Sequence, residues 1–266
     1  MNARVPFPAL PSRLRERWRV LELRRFGEEP SDLDVDFGLD RHRLTSELLA
    51  RCAVSPAKGV PPGPEAFAEL RLGARIEGLL RLAGLHGTGE IAQLLRCGEC
   101  DAKIEFSLPF ADLADLQRPV GEMEEVRVEL PGDADLRLRL PHAADLRSWA
   151  ALSVNAEETT IAESLRIAGA PVTTAQLPAI ERALAAADPL LDFHARLSCP
   201  ECQVYQDVPC DLEALALGVL AREQARLLEL VHRLAWAYHW SEEVILRLPA
   251  WRQRFYLTRL EAEERR

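Results

Sequence analysis

An α+β fold is predicted for this chain by three observations. Apolar residues recur at helical spacing toward both ends, and they alternate at strand spacing through the middle. The alternating part is punctuated by two Cys-x-x-Cys steps, Cys97 to Cys100 and Cys199 to Cys202. With 266 residues, 48% of them hydrophobic, the chain can bury a sizeable core as one elaborate domain or two smaller ones.

Residues Met1 to Pro64 are proline-rich at both ends and contain two predicted helices, Leu14 to Phe26 and Asp40 to Cys52. Ser55 to Pro64, with four prolines and two glycines, can neither hold a helix nor fill a central strand, so a linker and a boundary near residue 64 are expected. From Glu65 to Gly84, Leu72, Ile76, Leu79, Leu80 and Ala83 recur at helical spacing, and Gly84 and Gly87 supply a stop. The period then changes. Ile104, Phe106, Leu108 and Phe110 alternate with polar residues as in a half-buried strand. Val126 to Leu130 and Leu136 to Leu140 read as two more strands, with Pro131, Gly132 and Asp133 as their turn. Ala143 to Ala187 returns to a helical pattern, with Thr159 or Thr160 and Thr174 as starts. Strands follow at Phe193 to Ser198 and Val204 to Val208, on either side of the second cysteine step.

From Asp211 to Tyr238 a long helix is predicted by the stripe Leu212, Leu215, Val219, Leu227, Val231, Leu234 and Tyr238, with Asp211 as its cap. Ser241 can cap a short helix whose first turn holds Glu242 and Glu243, and Pro249 separates it from a last helix ending near Glu263. The division expected is therefore a helical N-terminal region and linker over 1–64, a β core with a helical insertion over 65–210, and a C-terminal helical region over 211–266.

No stretch approaches the roughly 18 uninterrupted apolar residues of a membrane helix. The opening residues are broken by Pro6, Pro8, Pro11 and several arginines rather than carrying an apolar signal core. A cytoplasmic protein without a membrane partner is expected. A formal net charge of -9 argues against a broad phosphate-binding surface, although Arg13, Arg15, Arg17 and Arg19 form a local basic exception, so nucleic acid is a disfavoured partner.

The cysteines carry the clearest chemistry. Each Cys-x-x-Cys step lets a tight turn present two thiolates to one metal, and two such turns complete the four-sulfur tetrahedron that zinc prefers. Similar text follows both: Cys97-Gly98-Glu99-Cys100 leads through a strand to Leu108-Pro109-Phe110, and Cys199-Pro200-Glu201-Cys202 through a shorter one to Val208-Pro209-Cys210. Asp112-Leu113 and Asp211-Leu212 then follow in turn. This internal repeat predicts a zinc-ribbon-like core in which Cys97, Cys100, Cys199 and Cys202 share one structural zinc ion. Two local disulfides compete with that reading but suit a reducing compartment poorly, and a redox dithiol needs a strand-to-helix context that neither step has. Such turns commonly carry glycine directly after the second cysteine to reach positive φ, whereas Asp101 and Gln203 stand there. Cys52 and Cys210 have no partner at ligand spacing and read as small hydrophobes, and His194 reads as a polar strand residue rather than a substitute ligand.

Other motifs fail. Gly87-Thr88-Gly89-Glu90-Ile91-Ala92 fits a dinucleotide fingerprint only formally, because a helix precedes it and a strand follows. Asp32, Asp34 and Asp36 mimic the start of a calcium loop, but Phe37 stands where the turn needs glycine and Arg43 where the bidentate glutamate belongs. No nucleophile elbow, phosphate-loop lysine or His-Glu-x-x-His helix occurs, and nothing nominates a catalytic residue.

Val231 to Glu243, with Ile245-Leu246-Arg247-Leu248-Pro249 and the continuation Arg252, Arg254, Tyr256 and Leu257, resembles the end of phage baseplate hub assembly chaperones. Members of this group in phage-tail-like contractile injection systems also resemble this chain upstream, with two Cys-x-x-Cys knuckles, a long insertion between them and a long helix after them. The resemblance spans roughly Leu70 to Glu263 and leaves residues 1–64 unmatched. It implies a non-enzymatic role in building a contractile baseplate, with a hub or tube-initiating protein as partner. Trp236, Tyr238, Trp240, Trp251, Phe255 and Tyr256 concentrate aromatic surface at this end, and large aromatics are usual interface anchors. Most are expected to pack the short helices together, with one or two exposed. The rival from another class is a zinc-ribbon adaptor associated with nucleic acid, against which the charge balance speaks.

Overall fold

The computed structural model describes the chain except residues 1–3, 8–9, 11–17, 19–20, 56–59, 119, 121–122, 131–134, 153–157 and 266. It is a mixed α+β protein with several small antiparallel sheets and long C-terminal helices. The N-terminal arginine patch and the predicted turn at 131–133 lie outside the described residues.

The first sheet is made of β1 (Arg4–Pro6), β2 (Glu22–Arg24) and β3 (Ala53–Val54), in that order and antiparallel. β2 falls where the helix Leu14 to Phe26 was expected. Its reason is tertiary: Leu21 and Leu23 alternate into the core, and the Arg24 guanidinium is drawn in to a two-pronged pair with buried Asp32 at 2.6 and 2.8 Å. The remainder of that expected helix lies largely outside the described residues. α1 (Arg41–Cys52) forms as predicted, its first N–H groups held by the Asp40 carboxylate.

The single helix expected over Glu65 to Gly84 is two, α2 (Pro64–Ala68) and α3 (Leu72–Ala83). Between them the backbone turns extended to pair with a distant segment: Leu72 N–H donates to Pro141 O, and Ala143 N–H to Leu70 O. The start of α3 is capped from afar, Gly73 N–H donating to a carboxylate oxygen of buried Asp188 at 3.2 Å. A Cβ on Gly73 would stand 1.8 Å from that carboxylate, so only glycine admits the cap.

β4 (Glu90–Arg96) and β5 (Lys103–Pro109) form one hairpin, followed by α4 (Phe110–Asp115). β6 (Glu125–Glu129) and β7 (Asp135–Arg139) pair as predicted. The region 143–187 is less purely helical than its pattern: α5 (Ala143–Ala150) and α6 (Glu158–Ser164) precede a short strand, β8 (Arg166–Ala168), which joins the edge of β7, and α7 (Leu177–Ala187) follows. Gly169, at φ 104 and pressed against the Asp135 backbone, ends that strand. Thr159 and Thr160 lie inside α6 rather than starting it, and the N-cap of the turn at 174–176 is Thr173 instead of Thr174.

β9 (His194–Ser198) and β10 (Tyr205–Pro209) make the second cysteine hairpin. The C-terminal helices match their predicted bounds closely. α8 (Leu212–Tyr238) is capped by Asp211, α9 (Glu242–Leu246) by Ser241, and α10 (Ala250–Glu264) starts after Pro249.

The largest apolar cluster joins β2, α1, α3, the far ends of β4 and β5, α4 and the first half of α8, with Leu23, Leu48, Leu79, Leu80, Phe110 and Leu220 almost fully buried. A second cluster packs the outer half of α8 on α9 and α10. A third lies between the β6, β7, β8 sheet and helices α6 and α7. Among the described residues no helix is long and apolar enough to cross a membrane.

Candidate metal centre

Both cysteine turns sit at the tips of hairpins whose feet reach the main core. In the first, register runs from Glu90 opposite Pro109 to Arg96 opposite Lys103; in the second, from His194 opposite Pro209 to Ser198 opposite Tyr205. Each ladder therefore hands over to a loop of the same length, Cys97 to Ala102 and Cys199 to Val204. The loops are bonded alike. Cys97 N–H donates to Ala102 O at 2.8 Å and Asp101 N–H to Cys97 O at 3.0 Å, while Cys199 N–H donates to Val204 O and Gln203 N–H to Cys199 O, both at 3.0 Å. Asp101 and Gln203 take φ values of 60° and 59°, the left-handed turn that glycine usually supplies. The side chain there did not prevent the turn.

The four Sγ atoms lie within 4.8 Å of one another. The closest approaches run between hairpins, Cys97 to Cys202 and Cys100 to Cys199, each 3.6 Å. A tetrahedron with metal–sulfur bonds of about 2.3 Å has edges of about 3.8 Å, so this spacing suits four thiolates around one ion. None of the six cysteines is paired in a disulfide. Cys97 and Cys199 are buried and Cys100 and Cys202 exposed, so each turn turns one sulfur inward and one toward solvent.

Electrostatics point the same way. The backbone N–H groups of Cys100 and Glu99 bring the Cys97 thiol down to about 7. The Ala102 N–H favours the Cys100 thiolate in the same manner, yet desolvation and the three neighbouring cysteines push that thiol up to about 12. Cys202 is likewise raised, although the Val204 N–H favours its thiolate. The turns are thus built to stabilise thiolates, but four negative sulfurs cannot share this volume without a cation between them. A divalent ion removes the conflict.

Little else joins the tips. Cys97, Ile104 and Cys199 form a small apolar cluster with Leu95, Ala102 and Leu197 around them. Across the gap Gln206 Nε2 donates to Cys97 Sγ at 2.8 Å. Sequence reading missed Gln206 because nothing in its spacing marks it; its only signal is a polar residue four past Cys202, on the strand leaving the turn.

The remaining candidates fall elsewhere. His194 lies at the opposite end of its hairpin from the cysteines, bonded to Asp207 at 3.0 Å and Asp192 at 3.2 Å. Cys52 is fully buried in the main core, where burial raises its thiol well above the usual range. Cys210 is half-buried, and its Sγ–H donates to Val208 O. Asp32, first of the calcium-like acids, is consumed by Arg24 and by the Gly27 N–H. Gly87 and Gly89 form a helix-to-strand turn, as the chain order required.

The six C-terminal aromatics divide evenly. Tyr238 stacks on Trp240 at 4.8 Å between ring centres, and Tyr256 meets both edge-on at 5.4 and 4.9 Å, pinning α10 to the end of α8. Trp236, Trp251 and Phe255 are exposed by 81%, 64% and 59%, three residues where one or two were expected. No family model, curated protein or solved structure matches the chain.

Proposed function

We propose that Cys97, Cys100, Cys199 and Cys202 hold one structural zinc ion in a zinc-ribbon-like site, within a non-enzymatic assembly factor or structural component of a contractile, phage-tail-like baseplate hub. The observation carrying the metal reading is the convergence of four sulfurs from two equivalently bonded turns. Tetrahedral four-sulfur sites suit zinc or iron, and four protein ligands close the coordination sphere that a catalytic zinc would keep open. Zinc there supplies cross-linking charge and no redox chemistry. By joining the tips, it fixes the two hairpins relative to one another, while their feet and the start of α8 at Asp211 are held by the core.

The assembly reading rests on the resemblance at Val231 to Pro249 and is supported by the exposed Trp236, Trp251 and Phe255. Exposed aromatics of this size are suited to anchor a hub or tube-initiating protein. The nucleic-acid adaptor finds less support, because a net charge of -9 opposes phosphate binding.

Elemental analysis of reduced, chelator-free protein tests the metal: about one zinc per chain is expected, and iron with a visible thiolate-to-iron absorption, or no metal, would refute it. Co-expression with the hub components of a contractile cluster tests the partner. Trp251→Ala with Phe255→Ala should abolish co-purification while leaving zinc content and helicity unchanged. Undiminished co-purification would remove the C-terminal surface from the reading, and submicromolar nucleic-acid affinity at physiological salt would favour the adaptor.

A further inference from the structure

We propose that the outer face of α8 is a self-complementary seam on which a second copy of this chain packs antiparallel. α8 has two apolar faces. Leu212, Ala216, Leu220, Leu227, Leu230 and Leu234 are buried inward. On the roughly opposite side run Ala214, Gly218 and Ala221, then Ala225, then Leu228, His232 and Trp236, at steps of three and four. Ala214, Ala225, Leu228, His232 and Trp236 are exposed, Leu228 by 47%. A surface helix ordinarily carries charge on its outer face, yet this line has no Asp, Glu, Lys or Arg from Ala214 to Trp236.

The arrangement of sizes selects the occupant. Ala225 lies midway along the line, with small residues toward the N-terminus and large ones toward the C-terminus. A two-fold axis at Ala225 would set Ala214 against the other copy's Trp236, Gly218 against its His232 and Ala221 against its Leu228. Every bulky side chain then meets a small one, and Ala225 meets itself where the helices approach closest. A parallel pair would instead oppose Trp236 to Trp236 and Gly218 to Gly218, crowding one end and leaving a void at the other.

The flanking charges agree. Arg222 and Glu229 are both exposed, carry no ion pair among the described residues, and lie on the same side of the seam, three and four residues from Ala225. An antiparallel two-fold brings like flanks together, so each Arg222 meets the other copy's Glu229, twice per dimer. In the parallel pair like flanks lie on opposite sides of the seam, so Arg222 and Glu229 could not meet across it. In the single chain the Arg222 guanidinium lies back along the helix, 3.4 Å from where a Gly218 side chain would start. The seam takes Trp236 from the exposed aromatics and leaves Trp251 and Phe255 to a partner, so it goes beyond the hub reading, and its variants on α8 fail independently of the Trp251 and Phe255 test.

Sedimentation equilibrium on the full-length, zinc-loaded protein tests the seam. A dimer at micromolar concentration is expected. Ala225→Glu should make it monomeric, and Arg222→Glu should weaken it at least tenfold, while Arg222→Glu with Glu229→Arg restores it. All these positions are exposed, and circular dichroism and zinc content should be unchanged. Oxidised Ala225→Cys should cross-link to itself. A wild-type monomer at high micromolar concentration, a dimer that tolerates Ala225→Glu, or a charge-swapped double variant no tighter than Arg222→Glu would overturn the proposal.

Discussion

At the residue scale the four-cysteine cluster was legible and its support was not. A Cys-x-x-Cys step is local, since both thiolates come from one turn, and the sequence displays it directly. Gln206 reaches Cys97 only because two hairpins meet in space. Outer-shell hydrogen bonds of this kind typically change metal affinity by roughly 10-fold to 100-fold when removed. Gln206→Leu should therefore weaken zinc binding by about tenfold in a chelator competition, whereas Cys97→Ser or Cys199→Ser should remove the ion. The left-handed turn residues give a prediction of opposite sign. Gln203 holds φ 59° without the local side-chain bonds that ease Asn or Asp into this region. Gln203→Gly should stabilise the zinc-loaded protein by about 0.5 kcal/mol, the relief of roughly 1 kcal/mol of strain less the glycine's larger unfolded-state entropy. Denaturant titration at saturating zinc checks it. Glu223 supplies the pH dependence. Burial alone would raise its carboxyl, but bonds from Arg226 at 2.8 Å and from His86 pull it far below the usual range. A depressed carboxylate stabilises the fold above its unfolded pKa of about 4.3, and that stability is lost as pH falls below it. Glu223→Gln should lower stability at pH 7 by about 1.5 kcal/mol, since Arg226 and Arg25 are left half-exposed rather than stranded, and should flatten the acid limb of the stability curve.

At the element scale, what the sequence displayed was periodicity sustained over length. The stripe from Leu212 to Tyr238 and the alternation from Ile104 to Leu108 each repeat often enough to outweigh local accidents, and both elements appear with nearly the predicted ends. Short pieces failed for the opposite reason. β2 and β8 are three residues each, too brief to show a period, and both are strands because a neighbour offers an edge. The break between α2 and α3 is also non-local, since Leu70 and Leu72 turn aside to bond residues 143 and 141. Caps beside a long or clearly bounded run were readable, as with Asp211 and Ser241, whereas in the broken region 143–187 Thr174 misses the cap by one residue. Asp211 accepts from the Ala214 N–H at 3.0 Å and pairs with Arg41, and these bonds hold its carboxyl low against the opposing effect of burial. Asp211→Ala should cost about 1 kcal/mol through loss of the cap. Asp211→Asn, which keeps the cap and sheds the charge, should recover most of it in the same thermal melts.

At the scale of the whole molecule, the question is how far the metal site and the fold depend on one another. A small zinc finger unfolds without its ion because the metal replaces a core, with binding on the order of ten kcal/mol. Here the main cluster holds Leu23, Leu48, Leu79, Leu80, Phe110 and Leu220, and it includes none of the four ligands. The hairpins enter it by their lower halves, through Ile91, Leu108 and partly buried Phe106 in the first, with partly buried Phe193 and Cys210 flanking the second. Four thiols left without a cation would give the tips a few apolar side chains and one Gln206 bond to hold them together. Removing zinc should therefore release the tips while the helical core stays folded, a local opening rather than a global one. Hydrogen exchange on chelated protein should show faster exchange over Leu94 to Glu105 and Arg196 to Asp207, with protection in α1, α3 and the first half of α8 retained. The melting temperature should fall, but a cooperative unfolded-to-folded transition on adding zinc is not expected. If chelation exposed α3 and α8 as fully as the hairpin tips, the ion would be holding up the core itself, and the separation of the two would be wrong.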